Sequence, residues 1–261
     1  MTVIIVSVLL LVIGGFIAFA IYLQFKEQAR LEKLRKIVAL KNQLRQIRRY
    51  LDDIPPQYQP KDMRLWLFSR LLTHYDELIK LQPDATLSRR RKLTAEEMSE
   101  LQTSKQKRRA KPINDELMVM DLKRLFDSFQ LCIKQAEKEK TLDTEVVARY
   151  SNLLQFYKYK AKADLHAYIA RQSFLSGNYE KAIASYKEAL TQLAPIKGTA
   201  EAKTASKQLT SLINEVEEAQ SGGGNDNGAS SHAEQDSADS ELTQEWDKFI
   251  DETEFKKKKH F

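Results

Sequence analysis

Residues able to do chemistry are few in this chain, and their spacing builds no reactive group. The single cysteine, Cys132, cannot supply a disulfide framework or a cysteine-based zinc site, and the four histidines, His74, His166, His232 and His260, are scattered. No P-loop, dinucleotide fingerprint, His-Glu-x-x-His pair or Gly-x-Ser-x-Gly elbow occurs. Gly222-Gly223-Gly224 is not followed by Lys-Ser/Thr. The sequence therefore predicts no catalytic centre, metal or cofactor. What its spacing supports is recognition. Leu242, Trp246, Phe249 and Ile250 stand at i, i+4, i+7 and i+8, with Phe255 beyond, and six acidic residues surround them. That is the anchor pattern of a helix that lies in a groove, with Trp a favoured hot-spot residue. Residues 241–261, closing on Lys256–Lys259, read as a short linear motif that binds a second protein or folds back onto the chain's own bundle. Two basic clusters, Arg89-Arg90-Arg91-Lys92 and Arg108-Arg109 with Lys111, suit an anionic surface. Lipid headgroups fit them better than nucleic acid, because no aromatics interleave for base stacking.

The elements that must position these groups begin with an oily one. Val3 to Leu23 reads VIIVSVLLLVIGGFIAFAIYL without a charge. As a helix at about 1.5 Å per residue this spans about 30 Å, the thickness of a bilayer's hydrocarbon. Ala18-Phe19-Ala20 mimics a signal-peptidase site, but no basic residue precedes the run and the apolar character continues through Ile21, Tyr22 and Leu23. The expectation is an uncleaved anchor over 1–25. Nine Lys/Arg against two Glu in residues 26–50 place the N-terminus outside and the body in the cytoplasm, in the manner of a bacterial inner-membrane protein.

Beyond the anchor the periodicity is helical throughout. Leu34, Ile37, Leu40, Leu44, Ile47 and Leu51 form a seam in a basic juxtamembrane helix over 26–54. Such a seam serves either a homodimeric coiled coil or packing on the chain's own domain. Pro55-Pro56 and Pro60 end that helix. A helical domain follows over 61–219. Its first helix is capped by Asp62 and runs to about Leu81. Residues 82–112 carry few apolar side chains and are read as an exposed, mobile insertion, with a short helix starting at the capping-box spacing Thr94-Ala95-Glu96-Glu97. A third helix opens at Pro112, with Leu117, Met120, Leu122, Leu125, Phe126, Phe129 and Ile133 as its stripe. A long helical stretch covers about 145–176, with a break near Tyr159-Lys160-Ala161 left open. Another helix spans about 200–219. Residues 220–240 lack large apolar side chains and read as a disordered linker.

The most specific local signal is Gly177-Asn178-Tyr179-Glu180-Lys181-Ala182-Ile183 followed by Tyr186, Ala189, Leu190 and Pro195. Gly177 and Asn178 can take the positive φ that closes a helix and reverses the chain. Ala182 and Ala189, seven apart, allow close approach of the preceding helix, where Ala170 marks the crossing, and Tyr186 fills the space between. Over residues 163–195 this resembles a tetratricopeptide hairpin. The resemblance implies a helix-turn-helix scaffold and, in its usual setting, peptide or protein binding. His166 stands where that family has a large aromatic, and Pro195 falls one place late. No second copy is evident.

Eight glycines, six prolines, 30 % charged residues and a net charge of +6 fit an all-α protein. The fold class expected is a single transmembrane helix, then a helical bundle or short tetratricopeptide-like superhelix, a linker and a motif. The expected role is a non-enzymatic, membrane-anchored cytoplasmic scaffold. The alternatives are a membrane-tethered nucleic-acid binder and a structural subunit of a larger inner-membrane complex.

Overall fold

A computed structural model describes the backbone of residues 2–104 and 108–222, and side chains from Gly14 onward except those of Ile17, Ala18 and Gly222. Every regular element among the described residues is a helix. They fall into two compact units, 2–52 with 61–104 and 53–60 with 108–222.

The first unit holds α1 (Thr2–Asp53), α2 (Lys61–Leu81) and α3 (Ala85–Thr103). α1 runs 52 residues without interruption and stops where Pro55-Pro56 removes the donors and space it would need. In the predicted membrane span the backbone is described, but the side chains of 3–13, 17 and 18 lie outside the description. Among those described, no helix is long and apolar enough to cross a membrane. Ile37, Leu40, Leu44, Ile47 and Leu51 are buried within a single chain, whereas Leu34 is exposed. The juxtamembrane seam is thus covered within one chain from Ile37 onward.

α2 buries Met63, Leu67, Phe68, Leu71 and Leu78. Asp62 sits inside its first turn, not at the cap. The predicted insertion is largely helix. α3 is capped by Asp84, whose carboxylate accepts the Thr86 N–H at 2.8 Å, ten residues before the predicted box. Thr94 lies mid-helix, is buried, and donates to the Arg90 carbonyl. Polar contacts dock α3. Arg91 forks onto Asp76, Arg48 of α1 reaches Glu97 at 2.7 Å, and Lys61 donates to the carbonyls of Gln102 and Ser104 at the helix end. The Arg91 guanidinium holds the Asp76 carboxyl below its ordinary range.

The second unit comprises α4 (Glu116–Lys138), α5 (Thr144–Leu175), α6 (Tyr179–Leu193) and α7 (Ala200–Gly222), joined by the segment 53–60. α4 begins at its Asp115 cap rather than at Pro112. Leu117 and Met120 of the predicted stripe are exposed, while Leu122, Leu125, Phe126, Phe129 and Ile133 are buried. α5 passes Tyr159-Lys160-Ala161 unbroken. The segment 53–60 does more than end α1. A 3-10 turn over Pro56–Tyr58 drives the Tyr58 ring into the core, against Phe126 (centroids 5.9 Å, edge-on) and Tyr157 (5.4 Å). The Tyr58 hydroxyl donates to Asp164 at 2.6 Å. Asp164 also accepts from Lys160 at 2.7 Å, whose ammonium lies 5.7 Å from the Tyr58 ring centre. Gln57 grips the main chain of Lys111 twice, donating to its carbonyl and accepting its N–H.

Burial, then the nearby Asp164 carboxylate, pushes the Tyr58 phenol well above its ordinary range. Burial pushes Tyr186 up to about 12. The unfolded chain releases these protons near pH ~10, so between ~10 and the native values it holds fewer protons than the folded state. The contribution of these two groups to stability is therefore level below pH ~10 and falls above it, by up to ~1.4 kcal/mol per pH unit for each. Urea unfolding across pH ~9 to ~11 should show this fall, shallower in the Tyr58→Phe/Tyr186→Phe double variant. At neutral pH Tyr58→Phe should cost ~1–3 kcal/mol through the lost bond to a charged acceptor, and Tyr58→Ala ~3–5 kcal/mol.

Candidate functional site

The hairpin of α5 and α6 is built from small side chains. Ala163, Ala167 and Ala170 recur at helical spacing on α5 and are buried. Ala182 and Ala189 of α6 are buried too, with Tyr186 between them and Leu193 one turn on. Two faces of methyl groups let the helix axes approach, and Tyr186 fills the volume the alanines leave.

The turn is closed as its residue types require, with one correction. Of the two turn residues Gly177 takes positive φ, at 74°. Asn178 is at φ −95° and acts as the N-cap of α6, its side-chain oxygen accepting the Lys181 N–H at 3.1 Å. Asn178 N–H returns to the Ser173 carbonyl and Gly177 N–H to that of Phe174, which satisfies the end of α5. Tyr179 packs edge-on against Phe174 at 5.6 Å. Pro195 falls within a 3-10 turn, Ala194–Ile196, so the chain tightens beyond Leu193 before α7. Thr199 caps α7 through its hydroxyl, which accepts the Ala202 N–H. α7 lays Ala202, Leu209, Ile213 and Val216 inward.

Ala170, Ala182, Tyr186 and Ala189 are thus interior, while Gly177, Asn178 and Tyr179 form the turn and Pro195 the exit. These residues hold the two helices of the hairpin together. His166 is half-buried on α5. The basic clusters are divided. Arg89, Arg90 and Lys92 are exposed on α3, but Arg91 is engaged by Asp76. Arg108, Arg109 and Lys111 belong to the second unit, with the Lys111 main chain held by Gln57. Leu242, Trp246, Phe249, Ile250 and Phe255 lie outside the described residues. Cys132 is half-buried on α4.

Two features escaped the sequence reading. Tyr58 is flanked by Pro55-Pro56 and Pro60, a rigid setting that could have marked it as more than a helix stop. The outward side of α4 is apolar at Leu117, Met120 and Leu131, and periodicity could not tell which of its two apolar sides turns inward.

Comparison with known proteins finds no family model, no curated protein and no solved structure that matches this chain.

A Cβ at Gly177 would meet nothing within 4 Å, so substitution there carries backbone strain alone. Gly177→Ala should cost ~1–2 kcal/mol, the penalty of left-handed φ for an L-residue. Asn178→Ala should cost ~0.5–2 kcal/mol, whereas Asn178→Asp, which keeps the cap, should stay near the parent. Chemical denaturation of the three variants checks the ranking.

Proposed function

We propose that this protein is a membrane-anchored scaffold, a single-pass inner-membrane protein whose helical body stands in the cytoplasm and binds other proteins. The observation that carries the reading is the uncharged run from Val3 to Leu23, followed at once by nine Lys/Arg in residues 26–50. An apolar helix of that length is stable in a bilayer, and the flanking bases hold its inner end on the cytoplasmic side. The continuity of α1 from Thr2 to Asp53 supports it further, since one helix leads from the apolar run into the packed first unit.

Binding rather than catalysis is the role that suits the body. Its most specific motif is spent on holding two helices together, and its outward faces are left to partners. The C-terminal residues 241–261 supply a second contact. A tether of 18 residues, 223–240, confines that motif near the body, and confinement at millimolar effective concentration makes weak contacts sufficient.

Fractionation with a topology reporter tests the reading. The full chain expressed in a bacterium should remain with membranes after alkaline carbonate extraction. Alkaline phosphatase fused behind Phe261 should be inactive, and a fluorescent protein at the same place should glow. Extraction by carbonate, or an active phosphatase, would overturn it. Partners crosslinked in those membranes should differ between the full chain and one lacking 241–261; identical sets would remove the tail from the role.

A further inference from the structure

α4 has two sides, and only one of them is spent. Phe126, Phe129 and Ile133 turn into the core. At 3.6 residues per turn, Met120 and Leu131 stand diametrically opposite them, with Leu117 one turn before Met120. All three are exposed, at 65 % for Leu117, 44 % for Met120 and 69 % for Leu131. They are three of the five large apolar side chains exposed among the described residues of the second unit, the others being Ile169 and Leu175 on α5. Exposed apolar side chains scattered singly mean little, but three aligned on the crest of one helix form a stripe.

The charge around the stripe has one sign to spare. Asp121 is paired with Arg124 and Asp127 with Lys158. Lys123, Lys134 and Lys138 lie on the same side of α4, with Glu116 beside Leu117 at its first turn, so positive charge is in excess there. A partner for this face must therefore be apolar along one line and acidic beside it.

The chain carries such a segment. Residues 241–255 hold six acidic residues against Lys248, with Leu242, Trp246, Phe249, Ile250 and Phe255 at helical spacing. We propose that this segment docks in cis along the outward face of α4 and covers Leu117, Met120 and Leu131. The lengths agree. Wound as a helix, Leu242 to Phe255 measures about 20 Å, and Leu117 to Leu131 about 21 Å. The tether permits it as well. Short connections make successive helices of this unit antiparallel, so the C-terminal end of α7 points the same way as the N-terminal end of α4. Residues 223–240 give a typical reach of about 20–25 Å and a limit near 60 Å when extended. The tail's resting place is then its own body, and a trans partner must compete for it. This inference is independent of the anchor, since the contact needs no bilayer.

Photocrosslinking on the full-length, detergent-solubilised chain tests it. Benzoylphenylalanine is placed at position 246, and equal amounts of 14N and 15N protein are mixed before irradiation. Crosslinks are expected in the α4 peptide, 116–138, with both halves of one isotope. Leu117→Glu/Met120→Glu/Leu131→Glu should lower that yield at least about tenfold, the loss of some 1.4 kcal/mol of contact. Lys134→Glu/Lys138→Glu, at exposed positions, should lower it too while far-ultraviolet circular dichroism stays unchanged. Mixed-isotope products would assign the contact to a second copy. Crosslinks to α3, to other helices or to nothing would place the tail elsewhere. Any of these results overturns the proposal, whatever the topology reporters show.

Discussion

Burying one tyrosine that belongs to no long helix is the constraint on which the second unit rests. Tyr58 arrives in the core from the connection between α1 and α2, fully enclosed, and a buried phenol needs a partner for its hydroxyl. Asp164 provides it, 106 residues away in sequence. A carboxylate brought so close to an aromatic core needs a counter-charge, and Lys160, one turn earlier on α5, supplies it. The two bonds are coupled: without Lys160 the carboxylate would be expensive, and without Tyr58 the lysine would have less reason to fold inward. Each ring pair adds ~0.5–1.5 kcal/mol beyond the area it buries, and the bond to a charged acceptor ~1.5–3 kcal/mol. Pro55 and Pro56 limit the conformations the strap loses on docking.

The hairpin of α5 and α6 solves a different problem by opposite means. Where Tyr58 fills a hole with a large side chain, Ala163, Ala167, Ala170, Ala182 and Ala189 abolish the hole by letting the backbones close. The cost falls on the turn, which must reverse the chain within a few residues. Gly177 meets it with a left-handed φ, and Asn178 with a cap. Enlarging one alanine would force the axes apart and strand Tyr186 in a gap, so the two devices stand or fall together.

What could be read from the residues was what local physics fixes. The seam Ile37–Leu51, the core stripe Leu122–Ile133 and the turn at Gly177 follow from the 3.6 period and from glycine's tolerance of positive φ. Failures came where tertiary contacts decide. α3 has few apolar side chains, so its hydrophobic pattern said insertion. It is held instead by the Asp84 cap and by ion pairs to Asp76 and Arg48, which carry no periodic signature. Pro112 looked like a helix start, but Asp115 offers a carboxylate to an orphan N–H and takes the cap. α4 presents apolar residues on two sides, and only the fit of Phe126 against Tyr58 and Tyr157 selects which goes inward. The tail's aromatics fall outside the described residues, so their pattern stands on the sequence alone.

The register of the first unit also bears on what its bases meet. Lys41 donates to Gln82 just before α3, and Arg48 reaches Glu97 within it, so Arg89, Arg90 and Lys92 lie at a level between those two α1 residues. Along a straight helix, Lys41 is about 27 Å beyond Leu23. With Leu23 at the edge of the hydrocarbon in the anchored reading, that distance is about three Debye lengths at physiological salt, and a tilt of ~20° shortens it little. Headgroup charge is screened there. Lys26, Arg30, Lys33, Arg35 and Lys36 are all exposed on the stretch of α1 before its burial begins at Ile37.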